Sequence, residues 1–260
     1  MITLTTDFGL QDPYVSEMKA VIFKICSNAK IVDITHNVSK FDIRMGAFIL
    51  AAASTYFPEN TIHVAVIDPG VGTKRRALLI ETSKNYFIGP DNGLLVLAAE
   101  KQGINQIYEL KNSNLMEIQV SNTFHGRDIF APAAAHLQNG VNPNLFGSKI
   151  KELRKPDFTQ VFKSSKSLIG EVLYIDSFGN IITNICIDDF IQNPFGRNLT
   201  IKTANSKYTL KFCKSYSEAK KGDLLILFGS HSFLEISANQ NNAADLTMIK
   251  IGDKIAILNP

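Results

Sequence analysis

Hydrophobic and polar residues follow two different periods in the first half of the chain. Short apolar runs predict strands over residues 2–5, 31–34, 62–67 and 77–80. Apolar residues at helical spacing predict helices over residues 14–25, 42–51, 94–100 and 129–137. Strands that alternate with helices are typical of α/β layer structures, so we expect an N-terminal α/β domain with a mainly parallel sheet over residues 1–155.

The pattern changes after about residue 150. Residues 151–167 are rich in lysine and serine and show no sustained period, which predicts a connecting segment. Beyond it, short alternating runs predict strands over residues 168–175, 199–203, 208–212, 224–228, 233–236 and 254–258. We therefore expect a smaller C-terminal domain over residues 166–260, either a β-sandwich or a β-barrel.

Composition excludes several classes of function. The 260 residues include 27 basic and 24 acidic ones, and a net charge of +3 gives no surface that follows a nucleic-acid backbone. The longest apolar runs reach about half of the ~20 residues that cross a bilayer, and the N-terminus lacks a signal-peptide pattern. Three widely spaced cysteines argue against disulfides and thiolate zinc sites and favour a reducing compartment. We expect a cytoplasmic protein without nucleic-acid or membrane partners.

Four polar clusters follow predicted strands or begin predicted helices. In an open α/β sheet, ligands bind beyond the carboxyl ends of the strands, so Asp7 and Asp68 are candidate ligand contacts. His125 is a third candidate because glycine and charged residues flank it. The fourth cluster, residues 176–180, combines a carboxylate, an aromatic ring and an amide, which suits an adenine and an amino-acid ammonium group. Each cluster alone is equally consistent with a turn or a helix cap.

Together, these clusters resemble the S-adenosyl-L-methionine (SAM) hydroxide adenosyltransferases, relatives of the bacterial fluorinase and chlorinase. The resemblance extends through nearly the whole chain and is carried by residues 6–15, 32–36, 68–75, 89–94, 124–128, 176–184 and 234–244. It implies an N-terminal α/β domain, a C-terminal β-barrel-like domain, and a homotrimer whose active sites lie between subunits. It also implies that SAM reacts with water to give adenosine and L-methionine, without a metal and without a cofactor.

The resemblance further implies roles for individual residues. The family's Asp-Arg-His triad falls on Asp68, Arg75 and His125, and its ribose-binding aspartate falls on Asp7. The other substrate-binding residues that the resemblance implies are Phe41, Asp176, Phe178, Asn180 and Ser230. Residues 230–232 depart from the fluorinase pattern Ser-Arg-Gly, because this chain has Ser-His-Ser and so lacks the arginine that pairs with the substrate carboxylate.

The implied reaction places its main demand on the attacking water. A sulfonium is a good leaving group, so catalysis depends on holding water in line with C5′ and the sulfur atom. Arg75 beside that water favours hydroxide character, and His125 can accept a proton or a hydrogen bond. A carboxylate paired with an arginine is a weak base, so we expect Asp68 to orient Arg75 and the water.

Three alternatives remain open on the sequence. A halogenase of the same fold would bring a halide against the negative charge of Asp68, a position where the halogenases carry uncharged residues. A non-catalytic module that binds SAM or adenosine would have a similar sequence. A metal-dependent phosphoesterase would use oxygen and imidazole ligands from Asp7, Asp12, Asp68, His125 and Asp128.

Overall fold

The computed structural model describes residues 1–190 and 194–258. The chain forms two compact units, Met1–Lys155 and a second unit that begins at Pro156. Each unit has its own hydrophobic core. Within the described residues, no helix is both long enough and apolar enough to cross a membrane.

The first unit, all of which the structure describes, combines a sheet with α-helices. Its strands are β1 (Ile2–Thr6), β2 (Ile31–Thr35), β3 (Ile62–Val66), β4 (Ala77–Thr82), β5 (Tyr86–Pro90), β6 (Ile104–Glu109) and β7 (Lys149–Ile150). Its α-helices are α1 (Tyr14–Ile25), α2 (Ile43–Ser54), α3 (Val96–Lys101) and α4 (Ala131–Gln138). A π-helical turn, Gly126–Phe130, leads directly into α4.

The sheet of the first unit is mixed rather than mainly parallel. Its strand order is β2-β1-β3-β5-β4-β6-β7, with parallel pairs from β2 to β5 and antiparallel pairs from β5 to β7. The predicted parallel arrangement is therefore correct for only half of the sheet. The reason is that residues 83–85 close β4 and β5 into a hairpin, and a parallel pair needs a much longer crossover. The sequence pattern did not predict β5 or β6 as strands.

Apolar helix faces cover this sheet. α1 buries Val15, Met18 and Ile22 and packs against α4, while α2 packs against α3. Asp42 caps α2, where its side chain accepts a hydrogen bond of 2.9 Å from the backbone N–H of Met45. This cap fixes the end of the loop between β2 and α2, and that loop reaches the candidate site.

The central strands bring two acidic residues to one edge of the sheet. β1 and β3 are buried along their whole length, and Thr6 and Val66 are partners in their parallel register. Asp7 follows β1 directly, and Asp68 follows β3 after one intervening residue. Both carboxylates therefore emerge at the carboxyl ends of neighbouring strands, where α/β sheets bind ligands.

The second unit is an antiparallel sheet that is nearly closed into a barrel, as the sequence predicted. Its described strands are β8 (Phe162–Lys163), β9 (Ser167–Ile175), β10 (Ile181–Cys186), β11 (Asn198–Lys202), β12 (Lys207–Lys211), β13 (Leu224–Phe228), β14 (Phe233–Ala238) and β15 (Lys254–Leu258). They pair in the order β12-β11-β15-β9-β10-β14-β13, with β8 added to β9. A bridge between Phe212 and Ile226 brings the two edge strands together.

The remaining elements of the second unit are short. Helix α5 (Ala243–Thr247) packs against β14. Residues 151–167, which lack a period in the sequence, contain β8 and a 3-10 turn at Asp157–Thr159. Most of this segment therefore belongs to the second unit, although nothing in its hydrophobic pattern indicates a strand.

Candidate active site

Asp68, Arg75 and His125 form one hydrogen-bonded chain at the edge of the first sheet. Nε of Arg75 donates to Oδ1 and Oδ2 of Asp68 at 3.1 and 2.9 Å, and Nη2 lies 2.5 Å from Oδ2. The same Nη2 lies 2.7 Å from Nδ1 of His125. Only 5% of the Asp68 side chain and 7% of the Arg75 side chain are exposed, so solvent screens this ion pair weakly.

The contact with Arg75 determines the tautomer of His125. Arginine only donates hydrogen bonds, so Nδ1 of His125 is the acceptor and the neutral ring carries its hydrogen on Nε2. Burial and the positive charge of Arg75 lower the pKa of His125 from its ordinary 6.5, against the smaller opposing effect of Asp68. The imidazole is therefore neutral at pH 7.

The two adjacent arginines have different partners. The Cζ atom of Arg75 lies over the Phe130 ring, 5.3 Å from its centre, in a cation–π contact. Arg76 instead donates from Nε to Oδ2 of Asp91 at 2.7 Å and from Nη2 to the carbonyl oxygen of Glu152 at 3.0 Å. Of the two arginines, only Arg75 therefore contacts Asp68 and His125 in the candidate site.

A glycine allows the loop that carries Arg75 to approach the segment before His125. Gly72 has a φ of +75°, and a Cβ atom at this position would lie 2.3 Å from the carbonyl oxygen of Asn122. Only glycine permits both the left-handed backbone and this close approach. The contact holds the 68–75 loop against the residues that lead into the π-helical turn, and so places Arg75 beside His125.

Asp7 is tied to the loop between β2 and α2. Its Oδ2 atom accepts a hydrogen bond of 2.8 Å from the backbone N–H of Phe41, and Nζ of Lys40 donates to its carbonyl oxygen at 2.6 Å. Phe41 adopts a left-handed φ of +64°, and 68% of its surface is exposed. The structure thus brings Asp7 and Phe41, both expected substrate contacts, together at one position.

A cavity of about 440 Å³ joins these groups within the first unit. Asp7, Phe41, Asp68 and His125 all line it. Aromatic rings form much of the remaining wall, in an edge-to-face cluster of Phe8, Tyr14 and Phe124. The combination of an apolar wall with a few polar groups is typical of sites that bind small molecules.

Asp128, a ligand of the hypothetical metal site, has other partners. It is buried, its Oδ1 atom accepts from Nε of Arg127 at 2.7 Å, and its Oδ2 atom accepts from the backbone N–H of Ser121 at 2.8 Å. These bonds hold the π-helical turn and the segment before it. Across residues 1–190 and 194–258, no three His, Cys, Asp or Glu side chains are grouped as metal ligands.

The 176–180 loop of the second unit folds around its own aspartate. Oδ1 of Asp176 accepts from the backbone N–H groups of Phe178 and Asn180, both at 2.9 Å, and Oδ2 accepts from the Asn180 side chain at 2.9 Å. Asn180 is buried, whereas 77% of Phe178 is exposed. These three residues and Tyr216 line a cavity of about 570 Å³ within this unit.

Residues 234–244, one of the segments that carry the resemblance, support this loop. Gly179 has a φ of +81°, and a Cβ atom there would lie 2.0 Å from Oδ1 of Asn242. Asn242 also caps α5, and the backbone N–H of Ala244 donates to the carbonyl oxygen of Gly179 at 3.1 Å. The loop that presents Asp176 is therefore seated on the start of α5.

Ser230 does not line the cavity of the second unit. It lies in the turn before β14, where its Oγ atom is 3.4 Å from Nδ1 of His231. Sequence reasoning missed Lys40 and Tyr216 as lining residues. Lys40 could have been found because it is next to Phe41, which the sequence did indicate. Tyr216 lies in a polar segment without any motif, so nothing in the sequence indicated it.

Comparison with known proteins agrees with this geometry. The N-terminal domain model of the SAM hydroxide adenosyltransferases matches residues 2–147, and the C-terminal domain model matches residues 170–256. The (R)-S-adenosyl-L-methionine hydrolase of Methanocaldococcus jannaschii is 39% identical over 99% of this chain and 95% of that protein. The protein of the same name from Salinispora tropica is 34% identical over 98% of this chain and 97% of its own length.

A solved structure has a similar fold over the whole chain. An uncharacterized conserved protein from Thermotoga maritima superposes with a TM-score of 0.87 at 38% identity, and the match covers 99% of both chains. The two family models together leave only short segments of this chain unmatched. The chain therefore belongs to the SAM hydroxide adenosyltransferase family.

Proposed function

We propose that this chain hydrolyses SAM to adenosine and L-methionine, with Asp68, Arg75 and His125 positioning the attacking water. The observation that carries the proposal is the continuous hydrogen-bonded chain of these three side chains, of which Asp68 and His125 line a ligand-sized cavity. The proposal agrees with the activity named for full-length relatives at 34–39% identity.

In the reaction, the oxygen of water forms a bond to C5′ of the adenosyl group while the bond from C5′ to sulfur breaks. The electron pair of the broken bond stays on sulfur, so the sulfonium becomes the neutral thioether of methionine. The water loses one proton, which leaves to solvent. Because the leaving group departs without protonation, catalysis consists of orienting the water and favouring its hydroxide character.

Each member of the triad has a distinct task in this proposal. Asp68 accepts a hydrogen bond from the attacking water and so directs a lone pair of the water oxygen toward C5′. Arg75 fixes that carboxylate and supplies the positive charge that favours hydroxide. His125 holds Arg75 through Nδ1, so its role is to orient the guanidinium rather than to remove the proton.

Substrate binding is divided among the other expected residues. Asp7 accepts hydrogen bonds from the ribose hydroxyls, a role supported by its buried carboxylate at the cavity wall. Phe41 covers the ligand. Asp176 pairs with the ammonium of the methionine part, and the exposed ring of Phe178 stacks on the adenine that Asn180 recognises. Ser230 contacts the methionine end.

The assembly that we propose is a homotrimer with active sites between subunits, as the resemblance implies. Two large apolar side chains next to the cavities, Phe41 and Phe178, are 68% and 77% exposed. Exposed apolar surface beside a cavity is typical of sites that another surface covers. Light scattering on the purified protein tests the assembly, with a mass of three chains expected and a monomer mass contradicting it.

Incubation with SAM tests the activity directly. We expect adenosine and methionine in equal amounts, with the same rate in the presence of EDTA and in chloride buffer. Formation of 5′-chloro-5′-deoxyadenosine would favour the halogenase instead, and loss of activity with EDTA would favour a metal enzyme. Binding of SAM without any product over a long incubation would favour a sensor.

A further inference from the structure

Tyr216 connects the cavity of the second unit to a buried acid. Its ring lines the cavity together with Asp176, Phe178 and Asn180, and its hydroxyl donates to Oε1 of Glu235 at 3.1 Å. Glu235 is in β14 and does not itself line the cavity. The acid therefore contacts the wall of the cavity through the tyrosine hydroxyl.

Glu235 has few other partners for a buried carboxylate. Only 8% of it is exposed, and within the described residues its contacts are Tyr216 and the hydroxyl of Ser237, 3.5 Å from Oε1. Burial raises the pKa of Glu235, and the nearby negative charge of Asp176 raises it further. A buried carboxyl group in this setting needs hydrogen-bond partners, and Tyr216 supplies the shorter of the two.

The backbone next to β14 is built to accept this carboxylate. A Cβ atom at Gly229 would lie 1.7 Å from Oε2 of Glu235, which is far inside any allowed contact. The backbone N–H of Gly229 donates to the carbonyl oxygen of Phe233 at 3.0 Å, so the turn between β13 and β14 holds this glycine in place. A side chain at position 229 would require the carboxyl group of Glu235 to move from this position.

We propose that Glu235 is a positioning residue, which holds the ring of Tyr216 in the cavity wall as a flat face for the purine base of the substrate. A tyrosine side chain turns about two bonds, and its hydroxyl lies on the axis of the second, so a hydrogen bond at the hydroxyl fixes the first and holds the ring at its place in the cavity wall. A fixed aromatic face loses less entropy when a base stacks on it. This inference rests on the proposed function, because it takes SAM as the ligand.

The test compares single and double variants by steady-state kinetics with SAM and by calorimetry with adenosine. Glu235→Ala should raise KM and the adenosine Kd about tenfold, with kcat changed less than about twofold, because it removes the hydrogen bond that holds the ring of Tyr216 in place. Tyr216→Phe should raise both constants in the same direction. The double variant should be no worse than the more severe single variant, since both changes remove one contact.

Glu235→Gln supplies the rescue, because its amide oxygen accepts the same hydrogen bond without the charge. We expect KM and Kd within about threefold of wild type for this variant. Any one of three results would overturn the inference. KM and Kd could be unchanged in Glu235→Ala, the effects could be additive in the double variant, or Glu235→Gln could bind as weakly as Glu235→Ala. If Glu235→Ala does not fold, the comparison of Tyr216→Phe with Glu235→Gln decides the question. Tyr216→Phe should raise the adenosine Kd, and Glu235→Gln should leave it within about threefold of wild type.

Glu171→Gln is the matched control. Glu171 is also buried, lies in the same sheet and pairs with Lys254 at 2.7 Å. This variant should leave KM and Kd unchanged, and thermal melts of all variants check their folding. A wild-type protein that binds adenosine but does not convert SAM would refute the proposed hydrolysis, while the adenosine Kd of the variants would still decide the role of Glu235.

Discussion

Nη2 of Arg75 lies 2.7 Å from Nδ1 of His125, while the same guanidinium is held by both carboxylate oxygens of Asp68. Because arginine cannot accept a hydrogen bond, this contact requires an unprotonated Nδ1. Protonation of His125 would place two donors face to face and would break the chain between the imidazole and the carboxylate. The charge state of one ring is thereby coupled to the position of the catalytic arginine.

This coupling predicts an acid limit for the activity. Burial and Arg75 lower the pKa of His125 from its ordinary 6.5, so the ring stays neutral, and the triad intact, down to a pH below 6.5. We expect kcat to fall only below that value. Proton NMR of the His125 ring gives the matching titration, which should move upward in an Arg75→Met variant because a positive charge is removed. A midpoint above 6.5 in the wild-type protein would contradict this account.

Asp68→Asn tests the role of the carboxylate. We expect kcat to fall by about 10²- to 10⁴-fold, because an amide attracts neither the water nor Arg75 as strongly. The adenosine Kd should stay within about threefold of wild type, since this residue is proposed to act on water. Arg75→Gln should have the same effect.

Arg76→Gln is the control for the arginine. Arg76 is adjacent in sequence but pairs with Asp91, so its loss should leave kcat within about twofold of wild type. Equal losses in Arg75→Gln and Arg76→Gln would mean that both act through the stability of the loop.

Asp7→Asn separates binding from chemistry. The buried carboxylate is proposed to accept ribose hydroxyls, and hydrogen bonds to a charged group contribute about 1.5–3 kcal/mol. We expect the adenosine Kd and KM to rise by about 10- to 100-fold, with a smaller change in kcat. A loss confined to kcat would place this residue in the reaction rather than in binding.

Gly72→Ala tests how the loop is seated. The new methyl group would lie 2.3 Å from the carbonyl oxygen of Asn122 and would require a left-handed backbone, so the loop must move away from His125. We expect kcat to fall at least tenfold and the Tm to fall by several degrees.

Gly140→Ala is the matched control for this change. Gly140 has a similar φ of +86°, but a Cβ atom added there would point into open space, with no contact within 4 Å. The control should lose about 1 kcal/mol of stability and keep its kcat. Equal kcat losses in both glycine variants would mean that backbone strain, and not the contact with Asn122, controls the site.

His63 predicts a pH dependence of stability that is separate from the site. Burial lowers its pKa to about 3, whereas the unfolded chain binds a proton near the ordinary 6.5. The unfolded state thus gains a proton that the folded state does not, and the free energy of unfolding falls as the pH drops from 6.5 toward 3. The slope should be at most about 1.4 kcal/mol per pH unit. Denaturant melts of a His63→Phe variant should show a smaller slope, and an identical slope would exclude His63 as its cause.

The sequence indicated which residues to consider at the candidate site, whereas it predicted only half of the sheet correctly. Asp7 and Asp68 could be singled out because each follows a short run that predicts a strand, and parallel strands share one functional edge. The antiparallel half was missed because β5 contains a glycine and a proline and β6 has two adjacent polar residues, Asn105 and Gln106, so neither has a clear strand pattern.

Contacts between distant parts of the chain had no signal in the sequence. The hydrogen bond between Tyr216 and Glu235 joins residues of two different elements, and the fit of Gly229 against that acid depends on the register of the hairpin. The tautomer of His125 depends likewise on which of its ring nitrogens faces Arg75. Such features depend on how the chain packs in three dimensions, which only the structure shows.

The most direct test of the account is to run the reaction in water labelled with heavy oxygen and to analyse the nucleoside by mass spectrometry. Attack of water on C5′ places one labelled oxygen in the 5′-hydroxyl of adenosine, and Asp68→Asn should slow its formation by at least about 10²-fold under the same conditions. Adenosine without the label, or a halogenated nucleoside formed in chloride buffer, would contradict the claim that this triad directs water to C5′.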